Sequence, residues 1–186
     1  MSGDVVELIM QDHREVERLF EALRTDPAKR PGLVPVLTTL LAAHSRAEEA
    51  EVYPAAADEA GASDDVEHSQ EEHVEADELL AQLADADPTS EAFDQILNKV
   101  IDAVTHHVEE EESSVLPAIK ERLSDQRRAE LGEAFLASRA EHLGDQPDDI
   151  TKAELEQQAA NLDLPGASGM SKEELQQALR EKAESA

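Results

Sequence analysis

An all-α fold, an up-down-up-down four-helix bundle with an additional helix and a small C-terminal helix-loop-helix, is what these 186 residues predict. Three observations carry that expectation. Apolar residues recur at alternating four- and three-residue steps through four long segments, the signature of a buried helical stripe. Phe, Tyr and Trp number only 3, 1 and 0, in a chain rich in Ala, Leu, Glu and Gln, which suits helices and offers little for a sheet. The chain also repeats itself. Asp12-His13 before Leu19 returns as Glu72-His73 before Leu79, and His44-Ser-Arg-Ala-Glu48-Glu49 leading to Pro54 returns as His107-Val-Glu-Glu-Glu111-Glu112 leading to Pro117.

The first helix is expected over about residues 4–24, with Ile9, His13, Val16, Phe20 and Leu23 on its seam. The second begins near Pro31 and runs to about residue 60 before Gly61, placing Leu37, Leu41, His44, Glu48 and Val52 inward. The third, about 64–84, presents Val66, Ser69, His73, Ala76, Leu80 and Leu83. The fourth opens on a Pro88-Thr-Ser cap and presents Phe93, Ile96, Val100, Ala103, His107, Glu111, Ser114 and Ala118. Histidines and glutamates therefore occupy positions where apolar residues belong. A fifth helix follows Ser124 and ends near His142, with Leu131, Phe135 and Leu136 expected to pack on the bundle or on another subunit.

Composition excludes several function classes. A net charge of −28 opposes a nucleic-acid or anionic-membrane surface, both of which need a basic footprint. With no cysteine there is no disulfide, thiolate metal site or thiol nucleophile. The N-terminal segment is interrupted by Asp4, Glu7 and Asp12, and no 18-residue apolar run occurs, so a soluble cytoplasmic protein is expected.

Four histidines and two glutamates on inner helix faces need a common cause. A buried carboxylate costs several kcal/mol unless it is paired or metal-bound, and a charged His cluster in apolar surroundings is comparably unfavourable. A metal removes both penalties. Short loops bring the two helix pairs together, placing His13 with His44 and His73 with His107 on opposite sides of one cavity, with Glu48 and Glu111 able to bridge two ions. Mixed imidazole and carboxylate donors suit iron, manganese or zinc.

At these residues, over about 4–122, the chain resembles the hemerythrin-like family, whose domain is a four-helix bundle around a non-haem di-iron centre. The resemblance implies two iron ions, oxo- or hydroxo-bridged and carboxylate-bridged, held by His13, His44, Glu48, His73, His107 and Glu111. Oxygen-carrying members have an HxxxH in the third helix, whereas here Ser69 stands four residues before His73. One iron thereby lacks a usual ligand, which argues against simple reversible oxygen carriage.

Tyr53 is a candidate replacement. It is the only tyrosine, five residues after Glu48 where the second repeat has Leu116, and phenolate is a hard donor suited to ferric iron. The other reading is a hydrogen-bonded tyrosine packed at the bundle end. His68 lies about 140° around a regular helix from His73 and could turn inward only through a bulge, so it is read as a surface histidine. His106 falls on the polar side and is read as exposed. Glu49, Glu51, Glu109, Glu110 and Glu112 are read mostly as solvated acids, some of which could orient ligand imidazoles.

Three parts are expected along the chain: a bundle with its fifth helix over 1–143, a polar linker over 144–150, and a tail over 151–186. Within the tail, Thr151-Lys-Ala-Glu and Ser171-Lys-Glu-Glu fit capping boxes. The tail resembles the N-terminal helix-loop-helix of transcription terminator Rho, a SAP-like module tied to nucleic acid, but its acids outnumber its bases. Intramolecular packing or a protein partner is the better expectation.

With an open iron position, the hemerythrin-like resemblance implies a protein that binds, senses or processes a small oxidant or diatomic (peroxide, nitric oxide or dioxygen), with catalase-like peroxide decomposition or nitric-oxide processing as the enzymatic activity to expect. Two other classes fit the same residues: a non-catalytic oxygen carrier or iron store, and an interaction protein with a structural metal.

Overall fold

The computed structural model describes residues 3–185, which are helical throughout apart from short connections. Helix α1 (Val5–Thr25) starts at Asp4, whose side chain accepts from the Val6 N–H. Helix α2 (Arg30–Ala47) continues through a π-helical turn (Glu48–Val52) into α3 (Tyr53–Ala60), which Gly61 ends with a left-handed φ of 69°. Helix α4 (Ser63–Asp85) leads into α5 (Glu91–Ser113), capped by Ser90. A kink at Ser114 separates α5 from α6 (Val115–Arg122).

Prolines explain both interruptions. Pro54 and Pro117 lack an N–H, and their rings would clash with the carbonyls of Ala50 and Ser113 in an unbroken helix. The chain responds with a π turn in the first half and a kink in the second.

Four long segments form the bundle, with α1 against α2, α2 against α4, α4 against α5 and α5 against α1. Two apolar clusters fill it. Val16, Leu19, Leu23, Leu37, Leu41, Leu80, Leu83, Phe93, Leu97 and Val100 occupy one end, while Val5, Ile9, Val52, Tyr53, Ala56, Val66, Leu116 and Ile119 occupy the other. The histidine and glutamate layer lies between them. On α5 the buried stripe is Phe93, Leu97, Val100, Val104, His107 and Glu111, rather than one through Ile96 and Ala103, which are half-buried. Both registers fit a 3.6-residue period locally, and packing decides between them.

Helix α7 (Asp125–Glu141) lies against α1 and α2, burying Leu131 and Phe135 in the second cluster, while Leu136 faces solvent. Gly132 allows that approach, because a Cβ there would stand 2.2 Å from the Gly3 carbonyl oxygen. Alanine would gain about 1 kcal/mol of helix propensity but overpack the contact by about 1–3 kcal/mol. Gly132→Ala is therefore expected to lower the melting temperature by a few degrees. An unchanged or higher value would show that the N-terminal residues simply move aside.

The segment before the tail is not a free tether. Gln146 accepts from the Thr38 hydroxyl at 2.6 Å, and Pro147 and Ile150 are buried. Helices α8 (Lys152–Asn161) and α9 (Lys172–Glu184) both begin with complete capping boxes. Their apolar residues Leu155, Ala159, Leu162, Leu175 and Leu179 share a small core with Val74 of α4. On α9, Arg180 pairs with Glu78, and Lys182 with Glu67 at 2.5 Å. Two of the tail's bases, Arg180 and Lys182, are thus engaged with the acidic face of α4. Among the described residues no helix is long and apolar enough to cross a membrane.

Candidate metal centre

His13, His44, Glu48, His73, His107 and Glu111 converge from α1, α2, the π turn, α4 and α5 on one buried space, each at most 7% exposed. The His13 and His44 rings lie 5.2 Å apart, and those of His73 and His107 4.6 Å apart. Glu48 joins the two pairs: its Oε2 is 3.2 Å from His44 Nε2 and 3.5 Å from His73 Nε2. Glu111 Oε2 is 3.3 Å from His13 Nε2, and the facing Nε2 atoms of His73 and His107 are 3.1 Å apart. Ligands on one ion at bonds of about 2.0–2.2 Å stand about 2.9–3.5 Å from each other, which these separations match. The donor atoms of His13, His44 and Glu48, and those of Glu48, His73 and His107, each fall within 4.8 Å of one another, giving two groups that share Glu48.

Every imidazole is oriented by an acid on its far side. His13 Nδ1 lies 2.9 Å from Glu112, His44 Nδ1 3.3 Å from Asp12, His73 Nδ1 3.2 Å from Glu49 and His107 Nδ1 2.9 Å from Glu72. With each Nδ1–H donating outward, each Nε2 is the nitrogen left to face an ion, the tautomer that a bound metal would select. The acids follow the repeat. The one before a lone His (Asp12, Glu72) holds the His of the next helix in its own half, and the one after each HxxxE (Glu49, Glu112) holds the lone His of the other half. Asp12 and Glu72 were not foreseen in this role, although each directly precedes a candidate ligand.

Without a metal the electrostatics are divided, with Glu48 and His73 disfavoured as charges and Glu111 and His44 favoured. Burial pushes the Glu48 carboxyl up and the nearby Glu111 charge adds to this, with His44 opposing. Burial would also raise Glu111, but His13 and His107 outweigh it and hold the group at about 2. Burial would lower His44, yet Glu48 and Asp12 bring it to about 10, whereas His73 is depressed by burial and by His107. Both oxygens of Glu48 and of Glu111, with the Nε2 atoms of His13 and His44, are buried without a hydrogen-bond partner among the described residues. Such atoms are costly unless a cation meets them, so this donor set fits a metal.

Tyr53 is fully buried, with its hydroxyl 3.1 Å from His73 Nε2. In a regular helix it would point about 140° away from Glu48. The Tyr53 N–H instead bonds the Glu48 carbonyl, the i→i+5 bond of a π turn, which puts both side chains on one face. Burial, then the charges of Glu111 and Glu48, push the phenol well above its ordinary value. Ser69 is buried, while His68 stays on the surface, half exposed. The one bulge near the site thus serves Tyr53.

The tail reaches the same place. Glu49 accepts from Arg46 at 3.1 Å, Gln70 at 2.9 Å and Gln158 of α8 at 3.1 Å, while Asn161 donates to the Glu49 carbonyl at 3.0 Å. On the other side of the histidines, Val16, Leu41, Ala76, Leu80, Val104 and Val108 line a cavity of about 20 Å³ that touches all four imidazoles. That is room for one water-sized molecule.

Residues 4–119 match the hemerythrin HHE cation-binding domain. A protein of Nostoc sp. described as a DNA nickase is 30% identical over 139 residues, 74% of this chain and 39% of that one. The chain therefore spans well under half of that relative. No solved structure matches. The match to 4–119 covers the bundle and its whole donor cluster, and the chain belongs to the hemerythrin HHE cation-binding family.

Proposed function

We propose that this chain is a non-haem di-iron protein that binds and processes a small oxidant or diatomic (peroxide, nitric oxide or dioxygen), with peroxide decomposition as its turnover. The observation that carries the reading is the pair of His/Glu groups sharing Glu48, next to an apolar cavity too small for any larger substrate. His13, His44, Glu48, His73, His107 and Glu111 are the proposed ligands, with Tyr53 standing in where Ser69 removes one. Iron in this set would supply one-electron redox chemistry and an exchangeable coordination position. Asp12, Glu49, Glu72 and Glu112 hold the Nδ1 protons and keep each Nε2 aimed inward. Leu41, Leu80, Val104 and Val108 exclude bulk water from the cavity.

Metal analysis with optical spectra of the wild type and Tyr53→Phe tests the metal and its unusual ligand. Two irons per chain with a visible phenolate-to-iron band, lost in Tyr53→Phe, are expected. An unchanged spectrum rejects Tyr53 as a ligand and leaves it a hydrogen-bond donor to His73. Failure to evolve oxygen from peroxide, together with no reaction with nitric oxide, rejects processing. Reversible oxygenation without turnover would then assign the carrier class instead. DNA cleavage does not carry over from the nickase: this chain spans 39% of it, and a net charge of −28 opposes a DNA surface.

A further inference from the structure

We propose a second metal site on the outer face of α4 and α5, for a tetrahedral divalent cation of the zinc class. Its donors are His68 and Glu72 of α4 with His106 and Glu110 of α5. Each pair is spaced i,i+4 and so projects from one side of its helix. Because α4 and α5 pack as antiparallel neighbours, the two pairs face each other.

The spacing is that of ligands around one ion. His68 Nε2 lies 2.9 Å from Glu110 Oε2 and 3.8 Å from Glu72 Oε1, while His106 Nε2 lies 3.3 Å from Glu110 Oε1 and 3.6 Å from Glu72 Oε1. One donor atom from each residue falls within 4.8 Å of the others. A tetrahedral zinc with bonds of about 2.0–2.1 Å separates its ligands by about 3.3 Å, so the four close on an ion with small rotamer adjustments.

Glu72 distinguishes the cluster from an ordinary solvated face. Its side chain is only 12% exposed, and its Oε2 is fixed 2.9 Å from His107 Nδ1. Its Oε1 is buried under the two outer imidazoles with no hydrogen-bond partner among the described residues. A cation there satisfies that oxygen. Two imidazole nitrogens and two carboxylate oxygens favour zinc over magnesium or calcium, which take oxygen donors. Since His68, His106 and Glu110 are 51%, 61% and 40% exposed, such an ion would exchange with solvent. Glu72 gives one oxygen to each site, but the outer site needs no ion in the bundle and stands or falls independently of the di-iron reading.

The test is calorimetric titration of Zn²⁺ into the full-length protein, as isolated and after iron loading, for the wild type, His106→Ala and His73→Ala. The wild type is expected to take one zinc that His106→Ala does not, with affinity falling at least about tenfold while helical circular dichroism and inner-site metal content stay unchanged. His73→Ala should keep this zinc even where it loses inner-site metal, which separates failure of one site from failure of the other. Co²⁺ in the outer site should show the intense visible bands of tetrahedral coordination. Equal zinc stoichiometry and affinity in the wild type and His106→Ala would overturn the proposal, as would a weak octahedral cobalt spectrum.

Discussion

Glu48→Gln is expected to empty the centre of the bundle of metal and, at the same time, to make the metal-free protein more stable. Glu48 is fully buried, and neither of its oxygens has a hydrogen-bond partner among the described residues. Without a cation the group is a liability, since burial and the neighbouring Glu111 both disfavour its charge. An amide of the same shape removes the charge without opening a cavity but also takes a counter-charge from His44, so the net return to the apo protein should be about 1 kcal/mol. With metal present the sign reverses. Glu48 is common to both donor groups, so its loss should weaken metal binding by about a hundredfold or more, beyond what losing an orienting acid costs. At a free metal concentration a hundred times Kd, each ion adds about 2.7 kcal/mol to wild-type stability. For a chain of this size that amounts to about 5–10 °C per ion, lost on chelation. Melting curves with and without chelator, alongside metal analysis, check both halves. Should the variant keep its metal and melt lower when metal-free, the six residues would form a structural polar network instead.

The bundle and its donor cluster could be read from the sequence because the repeat states the same register twice. His13 and His73 each stand six residues before a Leu, and His44 and His107 each ten before a Pro. What could not be read were relations between helices. Asp12 is about 100° around α1 from His13, so it faces the next helix and holds His44, a pairing that only the packed bundle defines. The choice of Leu97 and Val104 over Ile96 and Ala103 was likewise left to packing, since neighbouring apolar residues fit the period equally well. For the π turn the sole local sign is Pro54. Nothing in Glu48-Glu49-Ala50-Glu51-Val52 itself marks a bulge, yet that bulge carries Tyr53 to His73. The tail's caps were legible because Thr151 and Ser171 act within one helical turn. Its destination was not, because Gln158 and Asn161 find Glu49 across more than a hundred residues.

Removal of residues 145–186 should weaken metal binding on the His73 side by about 10–100-fold, the cost of disturbing groups that orient a ligand, even though no expected ligand is deleted. Glu49 alone links His73 Nδ1 to the tail, accepting from Arg46, Gln70 and Gln158 within one buried cluster. Deletion takes away Gln158, releases the backbone of the π turn that Asn161 holds, and opens Arg46 and Asp77 to water. Solvent then competes for Glu49, His73 loses its fixed tautomer and orientation, and Tyr53, on the same turn, loses its aim. The truncated chain also uncovers Val74, so part of any fall in stability is merely apolar exposure. Gln158→Ala isolates the polar arm, because the tail's apolar contacts stay in place. It should cost about 1–3 kcal/mol for the buried partner lost and reproduce a smaller share of the metal defect on the His73 side, with the His13 and His44 side unaffected. Metal titrations of the three proteins decide it. Equal affinities throughout would reduce the tail to a docked appendage. A defect in the truncation that is absent from Gln158→Ala would place the coupling in Asn161 or in the apolar contact with α4, not in the Gln158–Glu49 hydrogen bond.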